Sequence, residues 1–232
     1  MNKNFPNLKI IEIEKAVLHE ETDLARVRRY KKMIQKDGYL LDPPIVASLT
    51  KGKFVVLDGA NRVSVFKELH IPHIMVQQVK YKKPDVILET WNHIICDKDY
   101  KKFHGIKKFK KFQIKEMIDF VNSYNGKFYF HRVIGTDIKK IRKHYPNICC
   151  LAIFPKLKPK DILNFANQGR KIPSGISRHI IAGRALFVKM PLSFFRKKIT
   201  AAEKNKIFQK YIHDRFKSNM VRYYAEPLFI FN

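Results

Sequence analysis

No run of about 18 apolar residues occurs in this chain, which argues against a transmembrane helix. The first 15 residues, MNKNFPNLKIIEIEK, lack the apolar core and small-residue cleavage site of a signal peptide, so the cytoplasm is the expected location and membrane insertion is not expected. Cysteine is scarce. Cys96, Cys149 and Cys150 form no CxxC pair and no metal-ligand spacing. Cys149 and Cys150 lie in the apolar stretch NICCLAIF and read as buried small hydrophobes rather than redox groups. Acid is scarce too. The 20 Asp and Glu stand against 47 Lys and Arg, a net charge of +27. Such a surface attracts phosphates, whether of nucleic acid, an acidic membrane or nucleotides. Lys outnumbers Arg, however, 35 to 12, in a chain also rich in Asn, Ile, Phe and Tyr. An AT-rich genome produces that composition without selection for DNA, and specific phosphate readers favour the Arg fork. Charge alone leaves both readings open.

What is present describes an ordinary globular chain. Its 232 residues, 45% hydrophobic and 29% charged, suffice for one large domain or two small ones with a real core. NLKIIEIEKAVL suits a strand, and HEET follows as a polar corner. DLARVRRYKKMIQKDG spaces Leu24, Val27, Tyr30 and Ile34 for a helix, with Thr22 as cap and Gly38 as stop. PPIVASLTKGKFVVLDG holds two β-rich runs around Lys51-Gly52, a hairpin. Val63, Phe66 and Leu69 then share a helical face, and IMVQQVKY is a strand. The first 80 or so residues thus read β-α-β-β-α-β.

Residues 91–112, WNHIICDKDYKKFHGIKKFKKF, read as a basic connector carrying Lys101, Lys102, Lys107, Lys108, Lys110 and Lys111. It is either a solvated segment or, functionally, a nucleic-acid arm or a lid over a phosphate ligand. Ile114, Met117, Ile118 and Val121 follow helical spacing, stopped by Asn125-Gly126. KFYFHRVI is a strand, KPKDILNFANQG a short helix, and IPSGISRHIIAGRALFVKMPL a loop with one or two strands. Thr200-x-x-Glu203 is a capping box opening a helix with Ile207, Phe208, Tyr211, Ile212 and Phe216 on its apolar face. RYYAEPLFIF is expected to close a sheet. The fold class is α/β (α+β).

One joint carries chemistry. In VVLDGANRVSVF an apolar strand ends at Asp58-Gly59 and a helix begins. Glycine at such a joint lets backbone approach a bound group, and a helix start offers free N–H donors and a positive dipole end. Arg62 adds a cationic fork. Asp58 is hostile to a bare phosphate but suits one carrying Mg²⁺, or it holds Arg62. The stretch is a candidate nucleotide-phosphate cradle or an ordinary Asp-Gly turn with a structural Arg. It is neither a Walker A loop nor a Rossmann fingerprint.

VLDGANR followed by a helix and IMVQQV resembles the ParB/sulfiredoxin-type nucleotide-binding unit, whose signature is D-G-x-H-R. LHE ending at Glu20, DGANR at 58–62, TWNH at 90–93, IPSGISRHIIAGRALFVKMPL at 172–192 and RYYAEPLFI at 222–230 are similar, in order and spacing, to the ParB-like free L-serine kinases. That family includes the kinase supplying O-phosphoserine for staphyloferrin B biosynthesis. The resemblance implies a ParB-like nucleotide-binding domain over 1–90 and a C-terminal α/β domain over 91–232 completing the substrate site. It implies ATP- or ADP-dependent, Mg²⁺-assisted phosphorylation of free L-serine. Glu20 falls on the family's base and Asp58 on the aspartate near metal and phosphates. Gly59, Ala60, Asn61 and Arg62 fall on the phosphate site, and Trp91, Ser174 and Arg178 in the substrate pocket. Arg178 or Arg184 is suited to the amino acid's carboxylate or the incoming phosphate.

Other readings stand beside these. Glu20 has a neighbour, Glu21, and both suit a surface; Trp91 suits packing; Arg178 suits an exposed cation. The family motif has His where this chain has Asn61, which donates to phosphate but is not protonated near neutral pH. His19, His93 and His179 lie near the motifs in sequence. The alternative function is a ParB-like nucleic-acid-binding or regulatory protein that has lost kinase activity, motivated by the charge. A sulfiredoxin requires a Cys beside the motif arginine, where Asn61 stands, and is set aside.

Overall fold

The computed structural model describes residues 5–97, 99–100 and 102–224. In chain order it holds β1 (Asn7–Glu12), β2 (Ala16–Leu18), α1 (Leu24–Asp37), β3 (Tyr39–Leu40), β4 (Ile45–Ser48), β5 (Phe54–Asp58), α2 (Ala60–Glu68) and β6 (His73–Val79). There follow β7 (Val86–Thr90), β8 (Asn92–Ile95), β9 (Gly105–Lys108), α3 (Ile114–Asn122), β10 (Phe130–Val133), α4 (Ile138–His144) and β11 (Cys150–Ile153). The chain ends with α5 (Pro159–Asn167), β12 (Ser177–Ile181), β13 (Met190–Pro191), α6 (Leu192–Arg196) and α7 (Ala201–Lys217). The expected mixed α/β class is met.

The main sheet has the order β1-β6-β4-β5-β2. Its central strands are apolar without alternation because both faces are covered. Val46 and Val56 face α1, α2 and the C-terminal helices, packing with Val27, Phe66, Phe195 and Phe208. Their neighbours Ile45, Ala47, Val55 and Leu57 face the other way, into a second core with Met117, Phe120, Tyr124, Phe154 and Ile176. A second sheet, β10-β8-β11-β9, backs that core, and β12 pairs antiparallel with β7. Residues 188–212 return to the first core.

Several expectations change in detail. The first strand is broken by a 3-10 turn at Ile13–Lys15 into β1 and β2. Asp23, not Thr22, caps α1, its carboxylate accepting from Ala25 N and Arg26 N, while Gly38 ends it at φ 74°. Residues 91–112 are not a solvated connector. Asn92 to Ile95 form the fully buried strand β8, and Gly105–Lys108 form β9 beside β11. The lysine density masked a strand whose apolar run, Ile94-Ile95, is short. Cys150 is buried as expected, whereas Cys149 is only half-buried because it sits at the mouth of β11. Phe208 and Ile212 are buried on α7 behind the capping box of Thr200 and Glu203, but Ile207 and Phe216 are exposed. Lys101 and most of RYYAEPLFIF lie outside the described residues.

Candidate active site

The two acids leave one edge of the main sheet. β2 and β5 run parallel with Leu18 beside Val56. Two residues beyond Leu18 and Val56 stand Glu20 and Asp58. The carboxyl ends of parallel strands are where α/β sheets open to ligands, and here lies a cleft of about 570 Å³. Glu20, Asp58, Gly59, Ala60, Asn61, Arg62, Trp91, Ser174 and Arg178 all line it. The structure thus brings these nine residues to one cleft, while Arg184 reaches it through its ion pair with Asp58.

Glu20 is clamped by a loop far away in sequence. It forms a parallel bridge with Ile172. Glu21 N donates to Ile172 O at 2.9 Å, and Ile172 N to His19 O at 2.9 Å. The 172–177 loop is held on its other side by Trp91 N, which donates to Ile176 O at 2.9 Å. The loop then wraps the carboxylate. Gly175 N donates to Oε2 at 3.1 Å and Ser177 N to Oε1 at 2.8 Å, and the Ser177 hydroxyl donates to Oε1 as well. Two backbone donors fix the orientation of this acid, which a freely rotating surface glutamate lacks.

His19 stands behind it. Its Nδ1 donates to Val56 O at 2.6 Å, and its Nε2 meets Ser177 Oγ at 3.0 Å. Burial pulls its pKa below the ordinary imidazole value against the pull of Glu20. The His179 ring crosses it edge-on at 5.4 Å and takes a hydrogen bond from Tyr81 Oη at 2.7 Å. Burial, with His19 adding, pushes His179 down to about 3. His93 does not line the cleft. It donates from Nε2 to Gly175 O at 3.0 Å and meets Tyr124 Oη at 2.6 Å, and burial lowers it to about 3. It therefore acts as a neutral strut under the loop.

The phosphate end is built on α2. Gly59 adopts φ 91° as its N-cap, and no side chain caps the helix. The first-turn N–H groups accordingly face the cleft as open donors. Gly59 has a second role: a Cβ there would lie 2.7 Å from Nε and Nη2 of Arg62, which folds back over the glycine. Arg62 Nη2 meets Asp58 Oδ2 at 3.1 Å, and Arg184 Nη1 meets the same oxygen at 2.5 Å. Burial pushes the Asp58 carboxyl up, but the two guanidiniums outweigh it and hold it below the usual carboxylate value. Both ion pairs fall on Oδ2, which leaves the other oxygen without an arginine. Mg²⁺ takes one or two carboxylates and completes its shell with phosphates and water, so this donor set fits it. No cluster of three His, Cys, Asp or Glu side chains occurs among the described residues.

Arg178 lies 4.5 Å over the Trp91 ring and pairs with Glu89 at 3.1 Å, so the two form one wall of the cleft. Tyr30, Met33, Tyr39 and Leu41 form an apolar wall. It adjoins the phosphate end, since Arg62 Nη1 donates to Asp42 O at 3.3 Å. Sequence reading missed Arg132, which enters the cleft from β10. Nothing in YFHRVI marks that arginine, because Gly175 and the charges of Glu20 and Arg26 reach it from other parts of the chain.

The fold is that of the free serine kinases. It matches a C-terminally truncated SbnI from Staphylococcus aureus with a TM-score of 0.69 over 90% of this chain and 97% of that one, at 19% identity. It matches a free serine kinase in complex with AMP with a TM-score of 0.62 over 81% and 92%, at 12% identity. In sequence the chain is 24% identical to the ATP-dependent L-serine kinase SbnI of Staphylococcus aureus over 99% of both chains. It is 30% identical to the ATP-dependent L-serine kinase of Staphylothermus marinus over 43% of this chain and 40% of that one. No family model matches. The chain is similar to SbnI along nearly its whole length and to the Staphylothermus marinus kinase over less than half of it, and the resemblance read from its motifs holds.

Proposed function

We propose that the protein is a free L-serine kinase, transferring the γ-phosphoryl group of ATP to the serine hydroxyl to give O-phospho-L-serine and ADP. The observation that carries this is the placement of a clamped carboxylate, Glu20, and an open helix N-terminus with Arg62 in one cleft. Phosphoryl transfer asks for positioned phosphates, neutralised charge and an oriented nucleophile. The relatives named above are ATP-dependent L-serine kinases, which favours ATP over ADP as donor.

In this reading the first-turn N–H groups of Ala60, Asn61 and Arg62 receive the phosphates, and the adenine lies against Tyr30 and Tyr39. Asp58 would hold Mg²⁺, which supplies charge neutralisation across the phosphate oxygens when bound. Glu20 takes the hydroxyl proton as the serine oxygen bonds to phosphorus and the bond to the ADP oxygen breaks. Ser177 has one hydroxyl proton for two neighbours, Glu20 and His19. Once Glu20 is protonated it donates to Ser177, which donates on to His19, and all three contacts are satisfied. Trp91, Ser174 and Arg178 enclose the amino acid. A cytoplasmic setting, where ATP and serine are free, suits this activity. Among the described residues no helix is long and apolar enough to cross a membrane. The nucleic-acid-binding alternative is not favoured, and a non-specific attraction of nucleic acid to the basic surface needs no dedicated site.

The test is incubation of the purified protein with L-serine, Mg²⁺ and either ATP or ADP, read by mass spectrometry. O-Phosphoserine with ATP is expected. Its absence with both nucleotides, from folded protein, overturns the reading and points to Asn61 as a disabling departure.

A further inference from the structure

We infer that Arg132 is the receptor for the α-carboxylate of the amino acid substrate, a specificity-determining residue of the cleft. This rests on the serine kinase reading and deepens it. The other arginines at the cleft are already matched. Arg26 pairs with Asp23 at 3.4 Å, Arg62 and Arg184 with Asp58, and Arg178 with Glu89. Arg132 has no hydrogen bond or ion pair among the described residues, and its Nε is fully buried without a partner. A half-buried guanidinium whose Nε is buried and unpaired is costly, and an anion arriving from the cleft offsets that cost.

Its surroundings are built to hold it there. The guanidinium lies 5.7 Å from the Phe130 ring centroid. It occupies the space over Gly175, where a Cβ would come within 2.7 Å of its Nε and Cζ. Gly175 adopts φ 77° and gives its N–H to Glu20 and its carbonyl to His93. One glycine thus sets base and guanidinium side by side. Glu20 makes no ion pair with Arg132: its hydrogen bonds come from Gly175 and Ser177, and its charge reaches the guanidinium only at longer range. Burial lowers the Arg132 pKa, with the charge of Arg26 adding and Glu20 opposing.

The anion is the carboxylate rather than the phosphoryl group on positional grounds. The phosphates have their own donors on α2, with Arg62. Arg132 comes from β10 in the other sheet, on the side of Glu20, Gly175 and Ser174. A serine whose hydroxyl faces Glu20 carries its carboxylate two carbons away. A guanidinium fork reads a carboxylate through two parallel hydrogen bonds.

The experiment compares wild type, Arg132→Met and Arg132→Lys for kcat and KM with L-serine, with ATP and with 2-aminoethanol, which is serine without its carboxylate. Thermal melting checks that each variant folds. Expected for Arg132→Met is a rise in serine KM on the order of a hundredfold, an ATP KM within about twofold, and loss of the preference for serine over aminoethanol. Arg132→Lys recovers part of the serine affinity. An unchanged serine KM overturns the assignment, as does a loss confined to kcat or ATP KM, which places the arginine on the phosphoryl group. If wild type makes no phosphoserine, the kinase reading fails separately. Calorimetric binding of L-serine to the ADP-loaded protein then decides Arg132: binding lost in Arg132→Met supports it, and binding retained, or absent in wild type, overturns it.

Discussion

At the scale of single residues, the site turns on how one carboxylate is held. Glu20→Ala removes the acid clamped by Gly175 and Ser177. Phosphoryl transfer is expected to fall by about 10²- to 10⁴-fold with the melting temperature little changed, read by turnover beside a thermal melt. Gly175→Ala is expected to do more than strain a left-handed residue. Its methyl group displaces the Arg132 guanidinium and the loop with it, so serine affinity and stability fall together. Unaltered serine KM in Gly175→Ala contradicts that geometry. Asp58 was legible from the strand-to-helix joint itself, whereas Glu20 and Trp91 were singled out only through the family resemblance of their motifs. Arg132 was not legible, and neither were the roles of Ser177 and His93, which stand in the family-like motifs, because what defines them is contact with residues about 40 to 160 positions away, invisible to any spacing rule.

At the scale of elements, the edge of the main sheet is closed by a helix rather than by another strand. β1 is an edge strand, and an unpaired edge invites further pairing. α7 covers it. Asn205 Oδ1 accepts from Ile10 N at 2.7 Å, its Nδ2 donates to Ile10 O at 2.8 Å, and Gln209 donates to Leu8 O at 2.6 Å. Asn205→Ala leaves both backbone groups of Ile10 unmet and is expected to cost about 1–3 kcal/mol, measurable by urea unfolding. A cost near zero indicates that water replaces the amide there. The capping box at Thr200 and the face of Phe208 and Ile212 announced this helix. Nothing announced that Asn205 would take the place of a neighbouring strand. The reverse error occurred at residues 91–112, where lysines hid β8. Its burial follows from partners on both sides, β10 and β11, rather than from its own composition.

At the scale of the whole molecule, two cores cover the two faces of the main sheet, and neutral imidazoles stand among the strands and the loop around the cleft. His93 and His179 have pKa values of about 3 against 6.5 when unfolded, and burial lowers His19 as well. Below pH 6.5 the unfolded chain therefore binds protons that the native state refuses, so stability is fully present above that pH and is lost as pH falls toward 3. By pH 5 His93 and His179 each cost about 2 kcal/mol. Urea unfolding at pH 7 and pH 5 is expected to show this loss, reduced in His93→Gln; equal stability at the two pH values contradicts it. The net charge of +27 was the loudest feature of the sequence, yet it specifies less about function than the cleft does. The most direct measurement is transfer of phosphorus from γ-labelled ATP to L-serine by wild type and Glu20→Ala in parallel, with nucleotide binding measured on both. Labelled phosphoserine from wild type alone, with nucleotide bound by both proteins, is the expected result. Equal labelling by the two proteins would contradict Glu20 as the base, and no labelling by a wild type that binds ATP would contradict the kinase itself.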